Sequence, residues 1–186
     1  MHTTGHPDGV MAGRGGIDAY LYLLDEAFRG GGIEESNESQ ALLPNLATVP
    51  DEAWSALPAG ASRSIGSIAL HVASCKVIYV DYAFGPGTLQ WGTPEVEPWP
   101  DDAVPREELM PWLEAAHHRL VEAVTALADD AELERKRMTN WGDEETTRWI
   151  VAAMITHDAY HAGEINHVRS LLDGDDRWRY IQQGFG

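Results

Sequence analysis

The sequence predicts an all-α protein: a single four-helix bundle with a long loop between the second and third helices. Apolar residues recur at three- and four-residue spacing in several stretches, which is the period of one helix face. No stretch alternates apolar and polar residues over a convincing length, as a half-buried strand would. The 186 residues match the usual size of one domain, and 44% of them are hydrophobic, an ordinary globular composition.

The first helical arm is predicted in two pieces. Residues 1–16 are polar and rich in glycine, and we expect them to form a mobile arm. An apolar period follows until a glycine run that starts at Gly30 breaks it. A second apolar run occupies residues 42–49. The apolar face of the first piece consists of Ile17, Leu21, Leu24 and Phe28.

The second helix is predicted to begin after a serine cap at Ser62 or Ser64 and to continue to about Phe84. A Gly-Pro-Gly sequence then stops it. Residues 85–104 are rich in proline, so we expect an irregular loop that serves as a lid or pocket wall. The two tryptophans of this loop are Trp91 and Trp99.

The third helix is expected to start at Asp101 or Asp102, with Pro105 in its first turn, and to reach about Leu127. After it, residues 140–144 form a predicted turn.

The fourth helix is expected to be capped by Asp143 and to run from about Glu145 to Leu172, ending at Gly174. The predicted organisation is an N-terminal arm at 1–16, the bundle at 17–173 and a C-terminal tail at 174–186.

The charge balance limits the possible partners. Thirty acidic residues against thirteen basic ones give a formal charge of −17, which disfavours binding to nucleic acids and to anionic membranes. No apolar stretch is long enough to span a bilayer, and the N-terminus lacks the apolar core of a secretory signal, so we expect a cytoplasmic protein. Cys75 is the single cysteine, which excludes an internal disulfide and a zinc site of several thiolates.

Polar residues interrupt the apolar seam of two predicted helices. The seam of the fourth helix contains His157, His161 and Glu164 between apolar residues, and His71 lies in the middle of the second seam. Burying such groups without partners costs free energy. Two histidines four residues apart point the same way, and His71 offers a third nitrogen. The pattern predicts a metal site with an open coordination position, which is typical of catalytic sites. The alternative is a set of core histidines hydrogen-bonded to protein groups.

Glu164 is the candidate catalytic residue. Our first choice is that its carboxylate accepts a hydrogen bond from an imidazole N–H; a fourth metal ligand and a base near the open site are alternatives. A salt bridge with Arg169 or Arg148 would be a purely structural role. Asp158 is expected to be solvated or bonded to a neighbouring helix.

Other polar and aromatic residues are expected to be structural. Cys75 is predicted to be a small buried hydrophobe. Trp141 and Trp149, together with the loop tryptophans, either wall a substrate cavity or fill the packing. The histidines on or beside the third and fourth seams are expected to be solvated or half-buried rather than metal ligands: His117, His118 and His167. His2 and His6 belong to the N-terminal arm and are not expected to be metal ligands.

Two segments carry a family resemblance. The sequence HDAYHAGEI at 157–165 is similar to the pattern H-x-x-x-H-x-G-[QE]-I, and SIGSIALHV at 64–72 is similar to a segment that ends in a first ligand. In both respects the chain resembles the DinB-like family of metal-binding four-helix bundles over residues 17–173. The resemblance implies a divalent metal site of three histidines at His71, His157 and His161.

The resemblance also implies a class of reaction. Related members are thought to be thiol-dependent transferases or isomerases that use mycothiol or bacillithiol. A composition rich in Ala, Gly, Trp and Arg, with only two lysines, suggests a bacterium whose genome is rich in G and C. In such a bacterium we expect mycothiol, rather than bacillithiol, to be the thiol substrate. We expect a metal-dependent S-transferase or isomerase with a small thiol and an electrophile as substrates, and zinc, nickel or iron as the ion. A metal-dependent hydrolase and a non-catalytic, metal-stabilised module that forms a homodimer or binds a partner are the alternatives.

Overall fold

The protein is mainly helical, which confirms the all-α class. The computed structural model describes residues 13–30 and 41–174, and the structural statements below concern these residues. The first twelve residues of the predicted arm and the predicted tail beyond Gly174 lie outside them, so the predicted domain boundaries stay predictions. The described helices are α1 (Gly15–Phe28), α2 (Leu42–Ala47), α3 (Asp51–Trp54), α4 (Ile65–Phe84), α5 (Arg106–Thr125) and α6 (Thr147–Asp173).

The four longest described helices pack around a shared interior. Helix α4 contacts α5 and α6, and α1 contacts the same two helices from the other side. Buried side chains of α4, α5 and α6 join Phe28 and the short α2 and α3 in one core cluster. Ile17 and Leu24 of α1 pack with Leu120 and Met154 in a second cluster.

Helix α1 starts two residues earlier than predicted because a distant side chain caps it. The carboxylate of Asp130 accepts hydrogen bonds from the backbone N–H groups of Gly16 and Ile17, each at 3.0 Å. Asp130 belongs to a short 3-10 helix, Asp130–Glu134, that follows α5. These contacts satisfy donors that a helix N-terminus otherwise leaves unpaired.

Helix α4 is buried along most of its length. The Ser64 side chain accepts a hydrogen bond from the Ser67 N–H at 3.2 Å, which confirms Ser64 as the cap. In the stretch from Ser64 to Ile78, His71 is the one residue that is not buried. The packing of α4 therefore leaves an opening at this histidine.

The chain between α4 and α5 forms no helix or strand, and buried hydrogen bonds attach it to the helices. The Ser74 hydroxyl donates to the Val96 carbonyl at 2.6 Å, and the Trp54 indole donates to the Val104 carbonyl at 2.8 Å. Helix α5 then begins at Arg106 with Pro105 as its cap, so neither Asp101 nor Asp102 caps it.

A short β-hairpin, which no pattern in the sequence indicates, precedes α6. Strands β1 (Lys136–Met138) and β2 (Glu144–Thr146) pair in antiparallel register. Three-residue strands are too short for a period-two pattern to be recognised. The expected cap at Asp143 is also wrong: Thr146 caps α6, and the Asp143 carbonyl instead accepts hydrogen bonds from Thr139 within the hairpin turn. None of the described helices combines the length and the hydropathy needed to cross a membrane.

Candidate metal centre

Three imidazoles meet between α4 and α6. The Nε2 atom of His157 lies 3.3 Å from Nε2 of His71 and 3.1 Å from Nε2 of His161. All three potential ligand atoms lie within 4.8 Å of one another. His157 and His161 are one helical turn apart and share a side of α6, while His71 faces them from α4. The structure thus brings together the three histidines that the sequence selected, and they could bind a metal ion.

The nitrogen–nitrogen distances match the requirements of a coordinated ion. Zinc–nitrogen bonds of about 2.0–2.1 Å place two tetrahedral ligands about 3.3 Å apart, and two adjacent octahedral ligands about 3.0 Å apart. The separations of His157 from His161 and from His71, 3.1 and 3.3 Å, lie close to these values, and the His71 and His161 ligand atoms lie within 4.8 Å of each other. The donor set therefore fits a divalent ion that imidazole ligands suit, such as zinc, nickel or iron.

Burial keeps these imidazoles neutral. Desolvation, with a smaller contribution from the Arg63 charge, lowers the pKa of His71 to about 4. Desolvation and the two neighbouring histidines lower the pKa of His157 to about 3. Desolvation also lowers the pKa of His161, against an opposing effect of Glu164. Neutral rings offer the lone pairs that metal binding requires, and all three pKa values are lowered from the ordinary histidine value of about 6.5.

Glu164 fixes the orientation of one ring. His161 Nδ1 donates a hydrogen bond of 2.6 Å to Glu164 Oε2, which leaves the lone pair of His161 on Nε2, toward the other two histidines. A carboxylate behind a metal-binding imidazole is a common arrangement in metalloproteins. The geometry matches our first choice for this residue.

The arginine that pairs with Glu164 is Arg63, at 3.7 Å, and neither of the two that we considered. Arg148 instead pairs with Glu134, and Arg169 donates to the Asn45 carbonyl. Arg63 precedes the cap of α4, and its positive charge lowers the pKa of the nearby His71. The sequence analysis missed Arg63 because it lies in a loop, where no helical period indicates which side chains face the site.

Cys75 lies beside the cluster, one turn after His71. Its Sγ atom is 3.6 Å from His71 Nε2, and the side chain is buried. Burial raises the pKa of the Cys75 thiol to about 12, so it stays protonated at neutral pH. This agrees with the expectation of a small buried hydrophobe.

A buried ion pair joins α4 to α6 next to the histidines. Lys76 Nζ donates to Asp158 Oδ2 at 2.6 Å, and both side chains are fully buried. Desolvation raises the pKa of Asp158, and the Lys76 charge opposes that effect. Asp158 is therefore bonded to a neighbouring helix, as one of our two alternatives stated. The sequence analysis missed Lys76, although it is the only charged residue in residues 65–80.

One of the remaining histidines differs from the expectation. His117 is buried and stacks on Phe28 with ring centroids 3.8 Å apart, so the solvated or half-buried location is wrong. Because Phe28 covers the imidazole, desolvation lowers the pKa of His117 to about 2. His118 and His167 are exposed, as expected. His2 and His6 lie outside the described residues.

A cavity of about 360 Å³ adjoins the centre, and Glu164 and Arg63 lie in its wall. The other lining residues include Gly60, Ser62, His167 and Leu171. The Trp91 ring lies on a different side, 6.5 Å from the His71 ring and inclined by only 16°. A group bound at the three histidines would thus have a cavity of mixed polar and apolar lining and an aromatic ring nearby.

Comparison with protein families places the chain in a known superfamily. Residues 36–165, more than half of the chain, match the DinB superfamily, and the match includes all three histidines and Glu164. The protein belongs to the DinB superfamily. The comparison with curated proteins gave no match.

Proposed function

We propose that the protein is a metal-dependent enzyme that uses a low-molecular-weight thiol, most simply as an S-transferase or isomerase. The observation that carries the proposal is the convergence of three neutral imidazoles next to a cavity of about 360 Å³. Three protein ligands leave a coordination position open. The cavity meets the site at Glu164, which bonds His161, and we propose that a small molecule enters from there.

His71, His157 and His161 would hold the ion, with zinc or nickel as our first choices and iron as a third. A divalent ion held by these histidines would supply Lewis acidity that favours the thiolate form of a small thiol. The chain supplies the orientation, because the Glu164 carboxylate holds the His161 ring in the tautomer that presents Nε2.

Glu164 is also our candidate for accepting the proton that the thiol loses. One of its oxygens is bonded to His161, while the other lies 3.7 Å from Arg63 and borders the cavity. The side chain is 27% exposed, which makes it accessible to a molecule in the cavity. The Arg63 guanidinium would favour an anionic thiolate in the same place.

The polar part of the cavity wall supports the choice of a thiol with a polar body, such as mycothiol. The wall combines a guanidinium, a carboxylate, a serine hydroxyl and an imidazole, which can hydrogen-bond hydroxyl and amide groups. We therefore propose that the thiol co-substrate occupies the cavity with its sulfur directed to the three histidines. The electrophile would approach from the side of Trp91 and the loop between α4 and α5.

Metal analysis and a thiol assay test this proposal. Tag-free protein is expected to contain about one equivalent of zinc or nickel and to accelerate the consumption of mycothiol with at least one member of an electrophile panel. His161→Ala should lose both properties, while the exposed His118→Ala should keep both. Equal metal content in the two variants would contradict the three-histidine site.

Two alternatives use the same histidines and give different results. A hydrolase would convert ester or amide substrates without consuming thiol, through a metal-activated water. A non-catalytic module, including a metal-stabilised homodimer, would lose thermal stability on metal removal and show no turnover of either kind. The cavity beside the centre favours an enzyme over the module.

A further inference from the structure

The indole of Trp91 lies beside one of the three candidate ligand rings. Its centroid is 6.5 Å from that of His71, and the two ring planes are inclined by only 16°, which is within the range of aromatic pairs in proteins. His71 is the one residue from Ser64 to Ile78 that is not buried, and Trp91 is itself 41% exposed. The loop between α4 and α5 thus supplies an aromatic neighbour at the opening that α4 leaves.

His71 lacks the kind of hydrogen bond that orients His161. In the part of the chain that the structure describes, the polar contacts of its nitrogens are His157 Nε2, at 3.3 Å, and Cys75 Sγ, at 3.6 Å from Nε2 and 3.9 Å from Nδ1. A sulfur at nearly the same distance from both nitrogens is in line with neither, so it does not fix a tautomer as Glu164 does for His161. The orientation of the His71 ring is therefore left to the groups that pack on it.

Two attachments hold the segment around Trp91 to α4 itself. On one side of Trp91, the Asp81 carboxylate accepts two backbone N–H groups of the loop, at 2.6 and 2.9 Å. On the other side, the buried Ser74 hydroxyl donates to the carbonyl of Val96, which is also buried. Because Ser74 follows His71 by three residues, the loop is attached within one helical turn of the histidine.

The turn that contains Trp91 is closed by hydrogen bonds of its own. The Glu97 carboxylate accepts the backbone N–H of Gly92 at 2.6 Å. The Thr93 hydroxyl donates to the Gln90 carbonyl at 2.9 Å. Gly92 directly follows Trp91 and has a φ of +78°, a conformation that glycine adopts without steric cost. The two attachments and this closed turn together determine where the indole lies.

We propose that Trp91 is a positioning residue of the metal centre, which holds the His71 ring in its ligating orientation by packing against it. The proposal rests on the metal site of the proposed function and does not require the thiol reaction. The face of an indole attracts positive charge, and an imidazole that shares the charge of a cation is more positive than a free one. The contact is therefore stronger in the metal-bound protein, and by linkage it raises the affinity for the ion.

Zinc affinity tests this role without an assay of activity. In competition titrations with a chromophoric chelator at pH 7, Trp91→Ala should bind zinc about fivefold more weakly than the unaltered protein. Trp91→Phe keeps an aromatic ring and should recover most of that loss. Trp149→Ala is the matched control, because Trp149 is exposed to a similar extent, 44%, but packs on Trp141. This control should bind zinc like the unaltered protein.

Further comparisons separate the role of Trp91 from general stability and from the metal site itself. The metal-free forms of Trp91→Ala and Trp149→Ala should melt alike, since neither indole is buried. Equal weakening of zinc binding in Trp91→Phe and Trp91→Ala would overturn ring packing as the cause. Unchanged affinity in Trp91→Ala, with the expected loss in His161→Ala, would overturn the role of Trp91 alone. Full affinity in His161→Ala would overturn the three-histidine site and this proposal with it.

Discussion

At the scale of single residues, Glu164 joins the metal centre to its surroundings. The carboxylate accepts the His161 N–H with one oxygen and faces Arg63 with the other. It therefore influences which nitrogen of His161 carries the proton and how basic the ring is. Its effect on metal affinity can be measured separately from any role in proton transfer.

Glu164→Gln should weaken zinc binding about tenfold, and Glu164→Ala should weaken it by up to about a hundredfold. The glutamine keeps an oxygen that accepts the His161 N–H but loses the negative charge. Competition titrations with a chromophoric chelator at pH 7 would give the affinities, with His118→Ala as control. Unchanged affinity in both variants would show that the carboxylate does not support the ligand.

His117 predicts a pH dependence of stability. Its folded-state pKa of about 2 lies below the unfolded value of about 6.5, so below pH 6.5 the unfolded chain binds a proton that the folded chain excludes. Stability is lost as the pH falls through this interval, by about 2 kcal/mol from this residue at pH 5.

His117→Leu should remove that part of the acid sensitivity. Urea denaturation of metal-free protein at pH 7 and pH 5 measures it, and the variant should lose about 2 kcal/mol less between the two values than the unaltered protein. His118→Ala, which alters an exposed histidine in the same helix, should behave like the unaltered protein. Identical losses in all three would contradict the burial of a neutral His117.

Helical spacing explains which site residues could be predicted at this scale. His71, His157 and His161 are polar residues in apolar seams, and the spacing alone places them on buried faces. Arg63 has no such periodicity. His117 directly follows the seam residue Ala116 in α5. Its burial depends on how α1 brings Phe28 over the ring, and no pattern within α5 indicates this contact.

At the scale of secondary-structure elements, the Lys76–Asp158 pair determines how α4 meets α6. The two charges have no access to solvent, so their mutual attraction must offset a desolvation cost of several kcal/mol. The pair lies one residue from Cys75 and one residue from His157, and it therefore holds the helices together where the imidazoles meet.

Lys76→Met should reduce the free energy of unfolding by about 3–5 kcal/mol, because Asp158 is left as an unpaired buried charge. The double variant Lys76→Met, Asp158→Leu removes both charges and should recover most of that loss. Urea denaturation of the metal-free proteins gives both values. A double variant as unstable as the single one would indicate that packing around Lys76, rather than charge compensation, determines the loss.

Local rules also explain which elements could be predicted. The beginning of α4 has a local cap, and its end has a local glycine, and both were predicted correctly. The beginning of α1 depends on Asp130, which lies far away in the sequence. Helix α6 begins at a local cap, Thr146, but the nearby Asp143 was equally plausible from the sequence because the hairpin that holds it is too short to give a pattern. The helical spacing of apolar residues was sufficient to predict the all-α class.

At the scale of the whole molecule, a bound ion would cross-link the two halves of the interior. Its ligands come from α4 and α6, which are 86 residues apart at His71 and His157. An ion that binds only the folded chain stabilises it by an amount that grows with the free metal concentration. Thermal stability should therefore report occupancy of the site.

Metal removal should lower the melting temperature by about 5–10 °C, relative to protein with free zinc at a hundred times its Kd. This shift corresponds to about 2.7 kcal/mol for a single site. His161→Ala should show little response to zinc, whereas His118→Ala should respond like the unaltered protein. Calorimetry with and without chelator makes the comparison, and a full response in His161→Ala would exclude this histidine as a ligand.

The near-continuous burial of α4 restricts how this protein can diverge. Inserting one residue between Ser64 and His71 would rotate the imidazole by about 100° relative to the helix start and turn an apolar neighbour outward in its place. Loss of metal binding through such a change would therefore be accompanied by damage to the hydrophobic interior. Descendant sequences could change the cavity wall by point substitution, but an insertion in this helix would compromise fold and chemistry together.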